Sequence, residues 1–339
     1  MTLYSDIPQA LSALGFSGRA VLAPMSGVTD VPFRRVAAGF GAGLVVSEMV
    51  ASEAFVVGHE EMRLKAESDG IDTPVVQLAG REPRWMAEAA KLAEQSGAAI
   101  IDINMGCPAK KVVSGLSGSA LMRDLALAQR LIAATVSAVS VPVTLKMRLG
   151  WDRETINAPD LAQIAQGEGV QLITVHGRTR NQFYKGEADW GAIHAVRDAI
   201  SLPLVANGDL TRPENAPSML EASGADAVMI GRGSYGAPWI VGQTSSFLAN
   251  GAYQADPSGE ELVAVVSGHY EAMLGHYGTA LGVRQARKHL DWYLASSGVA
   301  VSAQERLHLM KAEEPSEVLA AIQRIFVQST DVSAERTAA

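Results

Sequence analysis

The sequence predicts an α/β fold: a TIM (β/α)8 barrel followed by a small C-terminal helical bundle. Eight short apolar runs alternate with helix-like segments rich in Ala, Leu and Glu before residue 245, and a barrel of this kind usually takes about 250 residues. Only helix-like segments follow. An open doubly wound sheet is the main alternative, but the even spacing and the lack of G-x-G-x-x-G after the first run favour the closed barrel.

The predicted strands are apolar runs of the kind found in parallel strands that are buried on both faces. In chain order they are Ala20–Ala23, Leu44–Ser47, Pro74–Leu78, Ala99–Ile103, Val141–Lys146, Leu172–Val175, Leu202–Ala206 and Ala227–Ile230. The clearest predicted helices between them are Glu82–Ser96, Leu125–Val139, Ala158–Glu168 and Asn215–Ala222.

Beyond the barrel the sequence predicts three or more helices with no strand between them. They include Glu261–Tyr277, Leu281–Ser296 and Ser316–Val327. Helices that are mostly amphipathic can bury their apolar stripes against one another as a small bundle. We therefore divide the chain into a barrel domain at 1–245, a helical domain at 246–330 and a disordered tail at 331–339.

The composition limits the class of protein. The chain has 339 residues, 48% of them hydrophobic, and one cysteine, which excludes an internal disulfide and fits a reducing cytoplasm. The start shows no secretory signal, and no apolar run approaches the roughly 20 residues that span a bilayer. A net charge of −8 argues against a generally nucleic-acid-coating surface but permits a local basic groove. We expect a cytoplasmic protein with no membrane partner and no metal site.

The single cysteine follows the fourth predicted strand, in the string Asn104-Met105-Gly106-Cys107-Pro108. A thiol just past the carboxyl end of a barrel strand lies where this fold holds its active sites. A lone cysteine is more often a small core residue. Here the neighbouring Asn, Gly and Pro indicate a shaped loop, so we interpret Cys107 as a functional thiol.

The residues that follow most of the other strands, many of them polar, are expected to converge at the same rim of the barrel. They are Pro24, Met25, Ser26, Gln77, Lys146, His176, Asn207, Gly208, Asp209, Gly231 and Arg232. Glycine turns after the last two strands commonly cradle a phosphate, and Arg232 adds a cation that pairs with phosphate. Lys146 fits either a Schiff-base lysine or a fixed charge beside a flavin.

At these positions the sequence resembles the tRNA-dihydrouridine synthases, most closely their bacterial B-type branch, from about Gly18 to Val327. The resemblance lies in seven strings: Ala23-Pro24-Met25, Asn104 to Pro108 with Lys110-Lys111-Val112, Leu145 to Arg148, Val175 to Thr179, Asn207-Gly208-Asp209, Ile230 to Gly233, and Arg284 to Leu290 in the helical tail. The Asn-x-Gly-Cys-Pro string with its two lysines is specific, whereas the glycine turns alone are not.

The resemblance implies an FMN enzyme that uses NADPH or NADH to reduce specific uridines in tRNA to 5,6-dihydrouridine. In the family the flavin is held by residues matching the eleven rim residues above, from Pro24 to Arg232. The residue matching Cys107 donates the proton that C5 of the uracil receives, after hydride transfer to C6. A free thiol suits this role because it is mostly protonated near neutral pH.

Basic residues near the strand ends and in the tail predict where tRNA binds. We assign to the substrate Asn104, Lys110, Lys111, Arg178, Arg284, Arg287 and Lys288. The last three share a helix face because they are spaced i, i+3 and i+4. Asn104 is expected to hydrogen-bond the uracil edge, while the cations contact phosphates.

Two alternatives remain, one within the flavin enzymes and one from a different functional class. One is a flavin-dependent reductase of a free pyrimidine, similar to dihydroorotate dehydrogenase, for which a basic helical tail would be unnecessary. The other is a non-catalytic RNA-binding regulatory protein, which would need neither Cys107 nor a full set of flavin-site residues. The sequence leaves open the modified uridine, the preference between NADPH and NADH, and the oligomeric state, for which a monomer is expected.

Overall fold

In the computed structural model, which describes residues 6–329, nine parallel strands form one sheet. Its strands are Ala20–Leu22 (β1), Leu44–Val45 (β2), Val50–Ala51 (β3), Val75–Ala79 (β4), Ile100–Met105 (β5), Val143–Arg148 (β6), Leu172–His176 (β7), Leu204–Asn207 (β8) and Ala227–Ile230 (β9). Their order in the sheet is β2-β1-β9-β8-β7-β6-β5-β4-β3. The first strand thus pairs with the last, which is the pairing that a barrel requires.

Strands β2 and β3 are two pieces of the second barrel strand. A parallel bridge joins Val46 to Val75, and Val50 pairs with Leu78 of β4, so this segment completes the ring between β1 and β4. The hydroxyl oxygen of Ser47 accepts from the backbone N–H of Gln77 at 2.9 Å, which takes the place of a backbone acceptor at the break. The predicted (β/α)8 barrel is confirmed, while the interruption after Ser47 was not predicted.

Helices surround the barrel and connect its strands. They are Gln9–Ser12 (α1), Val31–Gly39 (α2), Ser52–Val56 (α3), Glu60–Ala66 (α4), Pro83–Gln95 (α5), Lys110–Ser114 (α6), Leu125–Val136 (α7), Ala158–Gly167 (α8), His194–Ala199 (α9) and Ala216–Ser223 (α10). Asp30 starts α2 by accepting from the N–H of Phe33 at 3.0 Å, and Asp124 starts α7 in the same way. Such caps satisfy N–H groups that have no partner within the helix.

The C-terminal part consists of helices Ile240–Asn250 (α11), Gly259–Tyr277 (α12), Thr279–Ser296 (α13), Ala303–Lys311 (α14) and Pro315–Phe326 (α15). Helix α14 was not predicted because it buries only Leu309 and so shows little apolar periodicity. Its capping box of Ser302 and Glu305 was the available signal.

The predicted domain boundary at 245/246 falls inside α11. The apolar cores do not divide at this point, because the core around the barrel includes Leu248 and that of the bundle includes Trp239. One core lies between the strands and the helices around them, and a smaller one lies inside the barrel. A third joins α12, α13 and α15 through residues such as Val266, Leu290 and Phe326. The predicted division stays a proposal, and the predicted tail at 331–339 lies outside the described residues. Within residues 6–329 no helix is both long and apolar enough to cross a bilayer.

The bundle packs on the barrel through α2. The ring of Phe33 lies 5.7 Å from that of His269 and 5.5 Å from that of His289, measured between centroids. The hydroxyl of Tyr277 donates to Oδ2 of Asp30 at 2.9 Å. Helix α2 therefore contributes both an apolar and a polar contact to the junction.

The two junction histidines are buried. Burial lowers the pKa of His269 to about 3, and its Nδ1 lies 3.0 Å from the hydroxyl of Tyr293. Burial, followed by the nearby His269 and Lys288, holds the pKa of His289 well below its usual range. In the described part of the chain neither ring nitrogen of His289 has a hydrogen-bond partner. Both rings are therefore neutral in the folded protein.

This arrangement predicts that stability falls as the pH drops below about 6.5, because the unfolded chain binds protons that the folded junction excludes. The stabilisation is fully present above that pH. Between pH 7 and pH 5 each histidine should lower the free energy of unfolding by about 2 kcal/mol. His289→Phe should remove about half of this decrease, whereas His308→Gln at an exposed position should leave it unchanged. Urea unfolding at pH 7, 6 and 5 measures the slopes, and equal slopes for all three proteins would contradict the assignment.

Candidate active site

A cavity of about 800 Å³ opens at the carboxyl ends of the strands. Its wall contains every residue predicted to hold a cofactor, together with Asn104 and Cys107: Pro24, Met25, Ser26, Gln77, Lys146, His176, Asn207, Gly208, Asp209, Gly231 and Arg232. They meet because the parallel strands of a closed barrel all end at one rim.

Amide and carboxylate groups form a hydrogen-bonded chain at one side of the cavity. Nε2 of Gln77 donates to Oδ2 of Asp102 at 2.6 Å, and Nδ2 of Asn104 donates to Oε1 of Gln77 at 2.7 Å. Oδ1 of Asn104 accepts from the N–H of Cys107 at 2.9 Å and from that of Gly106 at 3.2 Å. The chain therefore ends at the loop that carries the thiol.

The same loop is held through its carbonyl groups. Nε of Arg148 donates to the carbonyl oxygen of Gly106 at 2.8 Å. The hydroxyl of Ser119 donates to the carbonyl oxygen of Cys107 at 2.8 Å. Cys107 is a free, partly exposed cysteine in the cavity wall. The thiol is thus available to a molecule bound in the cavity, as a core cysteine would not be.

Lys146 reaches the cavity from β6. Its Nζ donates to Oδ1 of Asn207 at 3.0 Å, and Nδ2 of Asn207 donates to the carbonyl oxygen of Met229 at 2.8 Å, which fixes the amide orientation. Burial and then the charge of Arg148 lower the pKa of Lys146 to about 8, against the opposing effect of Asp102. The amine is held as a donor in a defined direction.

Asp209 joins two arginines at the opposite side of the cavity. Arg178 donates to both carboxylate oxygens, to Oδ1 at 2.9 Å and to Oδ2 in a shorter contact. Arg232 donates to Oδ1 at 3.0 Å. Burial raises the pKa of Asp209, but hydrogen bonds from Arg178 and Ala188 and the arginine charges bring it below its usual range. Asp209 therefore stays ionised and orients Arg232.

Arg178 does not lie where its predicted contact with tRNA would require. Its side chain is 1% exposed and donates to Asp209 and to the carbonyl oxygens of Lys185 and Gly186. Sequence spacing gave its position after β7 but not the direction of its guanidinium. We reassign Arg178 as a support for Asp209.

His176 is neutral in this setting. Its Nε2 lies 3.2 Å from Nη1 of Arg178, and because a guanidinium can only donate, Nε2 accepts and the proton sits on Nδ1. Burial, followed by the charges of Arg148, Lys146 and other cations, holds the pKa of His176 well below its usual range.

Two tyrosines in the wall were not predicted. The guanidinium carbons of Arg148 and Arg232 lie over the ring of Tyr184, at 5.6 and 5.1 Å from its centroid. Tyr235 stacks on Trp292 of α13, with centroids 4.1 Å apart and an interplanar angle of 11°. Both tyrosines lie several residues beyond the end of the preceding strand, so the pattern of strand-end residues did not indicate them.

The remaining predicted substrate residues lie outside the cavity wall. Lys110, Lys111 and Arg284 are exposed, and Arg287 is partly buried. Lys288 donates to Oε1 of Gln285 at 2.8 Å. Burial lowers the pKa of Lys288, and the nearby carboxyl groups of Asp30 and Glu48 oppose this effect. The lysine therefore faces acidic groups of the barrel. Its charge is thus partly compensated within the protein.

The chain is similar to known proteins over most of its length. The family model described as "Dihydrouridine synthase (Dus)" matches residues 21–330. A probable tRNA-dihydrouridine synthase from Rhizobium leguminosarum is 56% identical over 302 residues, 89% of this chain and 93% of that protein. One from Rhodobacter capsulatus is 53% identical over 320 residues, covering 94% and 97%. The tRNA-dihydrouridine synthase B of Xanthomonas axonopodis is 46% identical over 309 residues, covering 91% and 92%.

A solved structure is similar in fold. The 6-hydroxypseudooxynicotine amine oxidase from Pseudomonas geniculata superposes with a TM-score of 0.51 and 14% identity, covering 79% of this chain and 53% of that chain. At this level of identity the likeness concerns the fold alone.

The electrostatics of the site can be tested by measuring the pKa of the Lys146 amine. With a pKa of about 8, about half of its amines are unprotonated at pH 8, where an ordinary lysine is almost fully protonated. Reductive methylation of cofactor-free protein, followed by peptide mass spectrometry, should label Lys146 with a midpoint near pH 8. Exposed Lys91 serves as the reference for the reagent. A labelling ratio of Lys146 to Lys91 that stays flat between pH 7 and pH 9 would contradict the lowered value.

Proposed function

The chain belongs to the dihydrouridine synthase family, and we propose that it reduces specific uridines in tRNA to 5,6-dihydrouridine, using FMN as cofactor and NADPH or NADH as reductant. The observation that carries the proposal is one cavity in which the Cys107 thiol shares a wall with Asn104, Lys146 and Arg232. A thiol acid, an oriented amine and a phosphate-pairing cation are the groups that this reaction requires.

The residues present fit a flavin mononucleotide. Gly208 has a φ of +133°, and a Cβ there would lie 2.5 Å from that of Ala188, so only glycine fits this turn, and glycine turns at this place in a barrel commonly cradle a phosphate. Arg232, held by Asp209, supplies the cation for that phosphate. Gln77 and Lys146 offer donors for the polar edge of the ring system, and neutral His176 adds no charge to its face. FMN held by these residues would, once reduced, supply the hydride for C6 of the uracil.

The protein's own groups then complete the reduction. Lys146 would donate a hydrogen bond, or place a positive charge, near the flavin ring. The second amide hydrogen of Asn104 can donate to a uracil carbonyl. Cys107 gives its proton to C5 of the uracil as the enolate develops there. The loop contacts from Asn104, Ser119 and Arg148 hold the thiol in one direction while this occurs.

We assign tRNA binding to the rim of the barrel and to the bundle. Lys110 and Lys111 begin α6, three residues after Cys107. Arg284 and Arg287 lie on α13, the helix whose Trp292 stacks on Tyr235 of the cavity wall. Phosphate contacts would supply affinity and register. A uracil must leave its stack to enter the cavity, at a cost of a few kcal/mol, so we expect the substrate uridine in a loop at the tRNA elbow.

In this proposal the barrel domain at 1–245 performs the chemistry and the helical domain at 246–330 holds the tRNA. We place the enzyme in the cytoplasm, where its substrate is made, and expect it to act as a monomer.

Replacing Cys107 tests the chemistry. Cys107→Ala should retain the fold, the bound flavin and its reduction by NADPH, because none of these needs a thiol. Flavin reoxidation by tRNA in a single turnover, scored per bound FMN, should slow by about 10²–10⁴-fold, the usual contribution of a general acid. Cys107→Ser should recover little, since a hydroxyl is a far weaker acid. An Ala variant within a few-fold of wild type would remove Cys107 from the reaction.

Replacing the arginines of α13 tests the tRNA surface. Changing Arg284 and Arg287 to Gln should weaken tRNA binding and reduce its salt slope by up to about 0.9 for each phosphate that the variant no longer neutralises. Lys288→Gln is the matched control on the same helix, because its ammonium faces Asp30 and Glu48 and should contribute little to the slope. Binding titrations at several salt concentrations measure both. An unchanged slope for the arginine variant would make this helix face a solvated surface.

A further inference from the structure

Asp102 is a buried carboxylate that the proposed reaction does not use. It lies two residues before Asn104 on β5, so both side chains point to the inside of the barrel, and it is 4% exposed. The register of the sheet pairs it with Gln77 on β4 and with Thr144 on β6. Its two oxygens accept from Nε2 of Gln77 and from the hydroxyl of Thr144, each at 2.6 Å.

The hydrogen bonds above Asp102 can run in only one direction. The backbone N–H groups of Gly106 and Cys107 can only donate, so the amide oxygen of Asn104 must face them. Its NH2 group must then face the oxygen of Gln77. The NH2 group of Gln77 is left pointing at Asp102, where it needs an acceptor. Turning either amide over would place two donors or two acceptors against each other in a buried site, which is costly.

We propose that Asp102 is a positioning residue that fixes the Cys107 loop through Gln77 and Asn104. Asp102 orients the amide of Gln77, and Gln77 orients the amide of Asn104. Asn104 in turn binds the N–H groups of the loop. Asp102 touches neither substrate nor cofactor. The inference deepens the proposed function, because the loop it fixes carries the proposed acid and the amide it fixes lies at the proposed flavin edge.

Substitutions at residue 102 distinguish three roles that Asp102 could have: accepting a hydrogen bond, carrying a charge or filling space. An asparagine can keep its oxygen toward Gln77 and turn its NH2 group to Thr144, whose hydroxyl can accept as well as donate. A valine offers no acceptor, so the amide of Gln77 is free to turn over. Thr144→Val is the matched control, because it removes the bond to the other carboxylate oxygen in the same layer and leaves the path to Cys107 intact.

The experiment measures the loop directly in the full-length protein. Hydrogen exchange at the N–H groups of Gly106 and Cys107 should be at least tenfold faster in Asp102→Val, while the other amides of β5 keep their protection. Alkylation by iodoacetamide reports on the same loop without ambiguity, because Cys107 is the chain's single cysteine, and its rate should rise in parallel. Asp102→Asn and Thr144→Val should stay within threefold of wild type in both measurements.

Exchange in Asp102→Val that matches Thr144→Val would overturn the proposal. An equal increase in Asp102→Asn would overturn it as well, since the buried charge rather than the acceptor would then hold the loop. If the valine variant proves insoluble, the smaller Asp102→Ala carries the same expectation. Neither measurement needs flavin or tRNA, so a protein that lacks flavin but shows the expected exchange pattern would refute the proposed function and leave the role of Asp102 standing.

Discussion

The parallel register of neighbouring barrel strands is the constraint on which the site depends. It places Gln77, Asp102 and Thr144 side by side across β4, β5 and β6, and it places Asn104 beside Lys146 one layer above. A shift of one residue in any strand would turn its inward side chains outward. The backbone hydrogen bonds that stabilise the barrel thus also set the spacing of the groups that act in the cavity.

Charge is concentrated in the cavity in a way that the whole molecule does not show. The chain carries a net charge of −8, yet four cations lie around His176: Lys146, Arg148, Arg178 and Arg232. Burial, followed by the charges of these cations, holds the pKa of His176 well below its usual range. Asp209 compensates part of this charge by bridging two of the arginines. Arg148 and Arg178 are each 1% exposed, so water screens their charge less than it would at the surface, and they act more strongly on any anionic group that enters. An acidic protein can in this way present a local site for phosphate and for developing negative charge.

The helical bundle is a part of the site's surroundings rather than a remote appendage. Tyr235 of the cavity wall stacks on Trp292 of the bundle, and Tyr277 of the bundle bonds to Asp30 at the start of a barrel helix. The proposed tRNA surface on α13 is therefore connected by side-chain packing to the cavity in which the uracil would react. Such contacts fix the distance between phosphate recognition and chemistry, which a flexible linker alone would leave variable.

The sequence by itself determined the barrel, the strand ends and the loop of Cys107, because strand topology brings every strand-end residue to one rim whatever its side chain does. Only the tertiary structure decided where the long charged side chains point. Arg178 turns inward to Asp209, and Lys288 turns toward the acids of the barrel although it shares a helix face with the exposed Arg284. It also decided the break after Ser47 and the tyrosines of the wall. The physical reason is that burial and pairing of a flexible side chain depend on the elements packed around it, and spacing along one strand or helix does not specify those neighbours.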